Sequence, residues 1–237
     1  MSISKKPIID LIIPALNEEY TIPLVLRDVP KKLLREIIVV DNGSTDGTAR
    51  IARACGATVL SEPRRGYGAA CQKGIEYISM LSPPPDIVVF LDADYSDDPT
   101  ELPMLLSPIR HGGYDLIIGS RVLGDNEPGS LQPQQMVGNA VAVSLIRAIY
   151  GYRYTDLGPF RAIRYPALIA LGMKDADYGW TIEMQVKALK IGLRVAEVPV
   201  RYRKRAAGTS KVSGTVRGSL GAGYKILFTV FRHATAR

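Results

Sequence analysis

The sequence predicts an α/β domain built on a mostly parallel sheet with helices on both faces. Short apolar runs rich in isoleucine and valine recur through the first 120 residues, each followed by a stretch with helical spacing. Strand and helix signals alternate instead of segregating, as parallel crossovers require. The chain has 237 residues, 46% of them apolar, which is enough for one sizeable core.

The run IIDLIIP (8–14) is the first strand, continuously apolar as a strand buried on both faces must be. Helical spacing follows from Glu18 to Asp28, and REIIVVD (35–41) is the second strand. Thr45 or Asp46 offers a side-chain oxygen to cap the helix GTARIARAC (47–55). TVLSE (58–62) is a short third strand, and GYGAACQKGIEYISML (66–81) reads as a helix in which Cys71 lies against the sheet. DIVVFLDAD (86–94) and YDLIIGSR (114–121) are the fourth and fifth strands. Beyond Arg121 the rhythm changes. VLGDNEPGSLQPQQ (122–135) is a loop, followed by a helix from Met136 to Tyr150 and a strand in LGPFRAIR (157–164). WTIEMQVKALKIG (180–192) is helical, with Glu183 in a structural role beside Trp180. LRVAEVPVRYR (193–203) alternates like a half-buried strand.

Composition narrows the function. No stretch of eighteen apolar residues occurs, so no membrane span is expected, and the N-terminal residues do not read as a secretory signal. Two cysteines, Cys55 and Cys71, build no disulfide framework, and a cytoplasmic compartment is expected. Two histidines, His111 and His233, exclude a His-rich metal site and argue against Ser–His or Cys–His catalysis. The net charge of +7 is concentrated at the end: residues 200–237 hold nine Lys/Arg and no Asp/Glu, against 21 basic and 23 acidic residues before them. Such a segment is a surface for phosphates. RYRKRAAGTSK (201–211) has one aromatic among its basic residues, so nucleic acid is not an expected partner.

Three strands end in polar, acidic turns: IIPALNEE, VVDNGSTDGT and VFLDADYSDD. Ligands of open α/β sheets bind outside the carboxyl ends of the strands, where Glu18, Asp41, Asp92 and Asp94 can share one rim. A lone strand-end aspartate is commonly a helix cap, and Asp46 reads so. The Asp-Ala-Asp of 92–94 is more informative, since Mg²⁺ usually takes one or two carboxylates and completes its shell with water and substrate phosphate. GYGAAC (66–71) nearly matches a dinucleotide fingerprint, but no acid specific for that cofactor follows. No GxxxxGK[ST] occurs, which excludes a P-loop enzyme.

In order, IIPALNEE, VVDNGSTDGT, RRGYGAACQKG, FLDAD, IIGSR, TDLGPFRAIR, WTIEMQ and RYRKRAAGTSK resemble the family 2 glycosyltransferases of GT-A fold over residues 8–213. Within that family the chain is most similar to polyprenyl-phosphate hexosyltransferases of the dolichyl-phosphate mannose synthase type. The resemblance implies inverting transfer of a hexose from a nucleotide diphosphate sugar, UDP-glucose or GDP-mannose, to a lipid phosphate, with Mg²⁺ or Mn²⁺. It implies a GT-A domain over 1–213, with a donor half to about residue 120 and an acceptor half over 121–203. By the same resemblance, Pro14, Ala15, Glu18 and Asp41 hold the nucleoside, and Gly68 and Lys73 approach the nucleotide sugar. Asp92 contacts the donor and, with Asp94, the metal; Arg121, Arg205, Ser210 and Lys211 contact phosphate. Asp156 is the acceptor-side carboxylate. The chain departs from the family pattern at Ser96, where glutamine is usual, and in LQPQQ (131–135), which lacks an acceptor-phosphate arginine. A soluble hydroxyl acceptor, a catalytically idle sugar-nucleotide-binding domain and a non-glycosyl nucleotide enzyme therefore stay open. The segment 214–237 is expected to form a helix with Leu220, Tyr224, Leu227, Phe228 and Phe231 on one face and Arg217, Lys225 and Arg232 elsewhere. It is expected either to lie peripherally on the inner face of a membrane or to dock on the body or a second subunit of a homo-oligomer.

Overall fold

The predicted strands become β1 (Ile9–Ala15), β2 (Glu36–Asp41), β3 (Thr58–Ser61), β4 (Ile87–Phe90), β5 (Leu116–Ser120), β6 (Arg161–Arg164) and β7 (Val195–Pro199). The computed structural model describes residues 6–207, so Ser210, Lys211 and the segment 214–237 lie outside the described residues. The strands form one sheet in the order β3-β2-β1-β4-β6-β5-β7. All neighbours are parallel except β6, which runs antiparallel to both β4 and β5. Thus β6, from the second half of the chain, is inserted between two strands of the first.

Alternate residues of each strand feed opposite layers. Ile12, Ile38, Val40, Phe90 and Ile118 point to the layer formed by α3 (Tyr67–Ser79), α5 (Pro133–Tyr150), α6 (Tyr165–Leu171) and α7 (Trp180–Lys190). Leu11, Ile13, Val39, Val89 and Ile117 face α1 (Ile22–Asp28), α2 (Thr48–Ala54) and α4 (Leu102–His111). Burial on both faces explains the uninterrupted apolar runs.

Several boundaries differ from expectation. The first helix starts at Ile22 because Glu18–Thr21 is a turn, closed by the Thr21 and Ile22 amides donating to the Glu18 carbonyl. Helix α4, unexpected from the proline-rich PTELPMLLSP, has Pro103 in its first turn, where no amide partner is needed, and buries Leu102, Leu105, Leu106 and Ile109. Helix α6 is also additional to the expected elements. LQPQQ, expected as loop, contains the first turn of α5, closed by a reciprocal Gln132–Gln135 capping box. Strand β7 stops at Pro199, and Tyr202 continues only as an isolated bridge to Asp97 and Asn126.

Candidate active site

Strand order reverses at β1, which is parallel to both β2 and β4, so a crevice opens beyond their carboxyl ends. Pro14 and Ala15 end β1, Asp41 ends β2, and Asp92 and Asp94 run off the end of β4. Arg121 follows β5. Because β6 is antiparallel, the residue that precedes it at this rim is Asp156, and the 201–205 segment leaves the same rim after β7. The fold thus gathers residues 190 positions apart, including most of the predicted set.

At the centre is an acidic cluster threaded by one arginine. Arg205 Nη1 donates to Glu18 Oε1 at 2.6 Å, and its Nη2 lies 2.7 Å from Asp94 Oδ2. The other Asp94 oxygen accepts the Ser96 amide at 2.9 Å. Glu18 is also bonded by the Thr21 hydroxyl at 2.8 Å. Asp92 Oδ1 is enclosed without a hydrogen-bond partner. Burial, and then the Asp94 charge, push the Asp92 carboxyl up to about 7. Both oxygens of Asp97 are enclosed and unpartnered, and burial holds this carboxyl well above the usual range. Two positive-φ residues, Asn17 (φ 53) and Tyr95 (φ 63), shape the turns that follow β1 and β4. Enclosed oxygens without a partner are costly, so they call for a proton, a cation or a donor from a ligand.

Beside it, Asp156 is fully committed. Arg121 Nε and Nη2 each reach one of its oxygens at 2.7 Å, and the Arg121 amide adds a third bond at 2.9 Å. Burial alone would lower the Arg121 pKa, but Asp156 reverses this and raises it. Glu197 on β7 accepts the amides of Thr155 (2.8 Å) and Asp156 (3.0 Å), and Asn139 on α5 bonds the Thr155 carbonyl and the Leu157 amide. The acceptor-side turn is therefore pinned from two elements.

The basic segment does not present a free phosphate surface throughout. Arg201 pairs with Glu101 at 3.1 Å, Arg203 with Asp98, and Lys204 with Glu127 at 3.9 Å. With Arg205 that makes four of the nine terminal cations neutralised by the body. The reason is tertiary: Asp94, Asp98 and Glu101 line the path the segment takes after β7.

Two predicted donor contacts have partners within the protein. Lys73 lies two turns into α3, about 10 Å along the axis from its N-terminus, and pairs with Glu76 at 2.9 Å. Gly68 faces the 175–176 loop: a Cβ there would meet the Asp175 carbonyl oxygen at 2.1 Å, so glycine is required by packing. The same crowding at Gly66 explains the near-match to a dinucleotide fingerprint. Glu183 holds that loop by accepting the Lys174 and Asp175 amides, with Lys187 at 2.7 Å. Residues that the sequence reading passed over include Asp97 and Asp98, visible only as the end of YSDD. It also passed over Tyr202, whose ring lies 5.0 Å from the Arg121 guanidinium.

Asp28 anchors the turn after Asp94 by accepting the Tyr95 hydroxyl, and the hydrogen bonds from Arg27 and then Tyr95 hold its pKa at about 2. A carboxyl with a depressed folded-state pKa contributes stability above its unfolded value of 3.8, and that contribution is lost as the pH falls towards 2. Acid titration of Asp28→Asn against wild type should show the difference in stability vanish across that window. A difference independent of pH contradicts this role.

Carboxylates and guanidinium forks at the switch point of a mostly parallel sheet suit an α/β protein that binds a phosphorylated ligand. The model of the family described as Glycosyl transferase family 2 matches residues 10–176, and the chain belongs to that family. An uncharacterized glycosyltransferase of Mycobacterium tuberculosis is 38% identical over 214 residues, covering 90% of this chain and 93% of its own. The undecaprenyl-phosphate mannosyltransferase of Micrococcus luteus is 33% identical over 230 residues, covering 87% and 88%. Among solved structures, glucosyl-3-phosphoglycerate synthase of M. tuberculosis with Mn²⁺, UDP-glucose and phosphoglyceric acid superposes with a TM-score of 0.77. It is 25% identical, over 98% of this chain and 81% of that one. The fold is GT-A.

Proposed function

We propose that this family 2 glycosyltransferase moves a hexose from a nucleoside diphosphate sugar to a polyprenyl phosphate, with inversion at the anomeric carbon. The Asp92–Asp94 pair at the switch point, with its enclosed and unpartnered Asp92 oxygen, carries the donor side of this reading. Oxygen ligands of this kind suit Mg²⁺ or Mn²⁺, and the structural neighbour was solved with Mn²⁺ and UDP-glucose. Bound with the diphosphate, such a cation offsets the charge that develops on the leaving group. Among the described residues no group of three His, Cys, Asp or Glu side chains could hold a metal, and a bound Mg²⁺ or Mn²⁺ would draw further ligands from substrate phosphate and water.

Pro14, Ala15, Glu18 and Asp41 are the proposed nucleoside contacts, on the β1–β2 side of the crevice. The acceptor oxygen attacks the anomeric carbon as the bond to the diphosphate breaks, and the electron pair leaves with the nucleotide. Arg121 and Arg205, with Ser210 and Lys211 beyond the described residues, are the proposed phosphate contacts. The relatives named as undecaprenyl-phosphate mannosyltransferase and polyprenol monophosphomannose synthase support a lipid-phosphate acceptor. A phosphate is already anionic and needs no base, so Asp156, held by Arg121, serves to orient that arginine. A second reading, a hydroxyl acceptor, is supported by the phosphoglyceric acid in the structural neighbour.

The deciding experiment supplies Mn²⁺, UDP-glucose or GDP-mannose, and either undecaprenyl phosphate or 3-phosphoglycerate. Lipid product supports the first reading, product from phosphoglycerate alone replaces it with the second, and neither product overturns both. Asp156→Asn should cost about 10- to 100-fold with a phosphate acceptor, the worth of one charge-assisted hydrogen bond. With a hydroxyl acceptor the loss should approach about 10⁴-fold, the upper range for a general base.

Among the described residues no helix is long and apolar enough to cross a membrane. Peripheral contact on the cytoplasmic face is proposed through residues 214–237, relying on their Arg217, Lys225, Arg232 and Arg237 together with the preceding Lys211, the terminal cations outside the described residues. At about 1 kcal/mol each, five such charges suffice for salt-reversible binding. The full chain should co-sediment with phosphatidylserine vesicles at low salt and be released at high salt. A chain truncated after 213 should bind them less. No binding at low salt removes the membrane from this reading.

A further inference from the structure

Arg205 occupies a peculiar position for a phosphate-binding side chain. Its guanidinium is three-quarters buried between carboxylates from the two sides of the switch point, Glu18 beyond β1 and Asp94 beyond β4. With the Ser96 amide on Oδ1, this leaves both Asp94 oxygens engaged. A cation approaching Asp94 Oδ2 meets the Arg205 guanidinium already there, like charge against like charge. The neighbouring Asp92 and Asp97 oxygens that have no partner are enclosed in the same acidic turn. The segment is fastened independently just before this point, by Arg203 to Asp98 and by the Arg203 amide to the Ser96 carbonyl at 2.8 Å. The Arg205 side chain can thus exchange partners while the backbone stays anchored.

We propose that Arg205 is a tethered stand-in for the divalent cation, holding the Glu18 and Asp94 carboxylates together and making metal binding conditional on the nucleotide. This rests on the donor-site reading above. In the nucleotide-free protein, Arg205 and the metal compete for Asp94. A diphosphate supplies the guanidinium with a new anionic partner in bidentate geometry, so the metal enters as the arginine leaves and the two carboxylates keep a cation between them. Metal and nucleotide then raise one another's affinity by the same factor. If Arg205 occupies its site about 90% of the time or more, it weakens the affinity for metal alone by about 10-fold or more.

The test is equilibrium binding of Mn²⁺ alone, read from the electron paramagnetic resonance of the free ion, followed by UDP and GDP binding at saturating Mn²⁺. Arg205→Ala should bind Mn²⁺ without nucleotide about 10-fold more tightly than wild type and bind the nucleoside diphosphate about 10-fold more weakly. Arg205→Lys, which keeps the charge but loses the fork, should fall between them. Arg201→Ala, on the same segment but paired with Glu101, should change neither measurement. Circular dichroism establishes that each variant is folded. If neither Arg205 variant tightens nucleotide-free Mn²⁺ binding, while Asp94→Asn weakens it, the stand-in role is wrong and the donor site survives. If Asp94→Asn leaves Mn²⁺ binding unchanged, the donor-site reading itself fails.

Discussion

Asp94→Asn is expected to lower sugar transfer by at least about 1000-fold at saturating Mn²⁺ while leaving the fold intact. A cation that stabilises developing diphosphate charge is worth several kcal/mol, and about 4 kcal/mol corresponds to this factor. Folding is spared because the substitution is isosteric and a carboxamide oxygen still accepts the Ser96 amide, 2.9 Å away in the wild type. What disappears is the negative charge, which serves both Arg205 and the metal. The Asp92 carboxyl also loses the nearby charge that, after burial, pushes its pKa up to about 7. Turnover assays with both nucleotide sugars, alongside urea unfolding, check the two halves of this expectation. Full turnover in the variant, or undiminished wild-type turnover in excess EDTA, removes Asp94 from the metal site.

Arg121→Met should cost about 3 kcal/mol of stability, the lower end of the range for stranding one member of a buried ion pair. The pair is well enclosed, with side-chain exposures of 14% for Arg121 and 1% for Asp156. The lower end applies because the Asp156 carboxylate keeps the amides of Arg121 and Leu157, at 2.9 and 2.8 Å. Adding Asp156→Leu should recover part of the loss, since the stranded charge is then gone. Urea denaturation of the single and double variants measures both effects. A loss under about 1 kcal/mol would place this pair with ordinary surface ion pairs and weaken the case that Arg121 is held ready for phosphate.

Much of this architecture is written locally. An apolar run buried on both faces can be recognised without its neighbours, so the strands through β5 were legible. Their polar ends were legible too, because a strand carrying Asp-Ala-Asp or Asn-Gly-Ser immediately after its apolar stretch has few other places to put those groups. Helix α4 was not anticipated: PTELPMLLSP carries three prolines, two of which lie at or before the first turn, where they cost the helix no amide partner. Gly68 was legible as a glycine with a purpose, but its purpose is contact with the Asp175 carbonyl more than a hundred residues away.

The positions of the strands along the chain, the burial of the sheet on both faces and the carboxylate identities follow from residue type and spacing, because burial and backbone sterics act over a few residues. Direction and partnership do not. Nothing local makes β6 antiparallel, yet that reversal is what carries Asp156 to the rim and into the grasp of Arg121. Likewise, the basic end of the chain reads as nine unclaimed cations until its path past Asp94, Asp98 and Glu101 is known. Coulomb interactions depend on separation in space and on the medium between the charges. A guanidinium 187 residues from Glu18 becomes its partner only when the sheet has closed the distance to 2.6 Å.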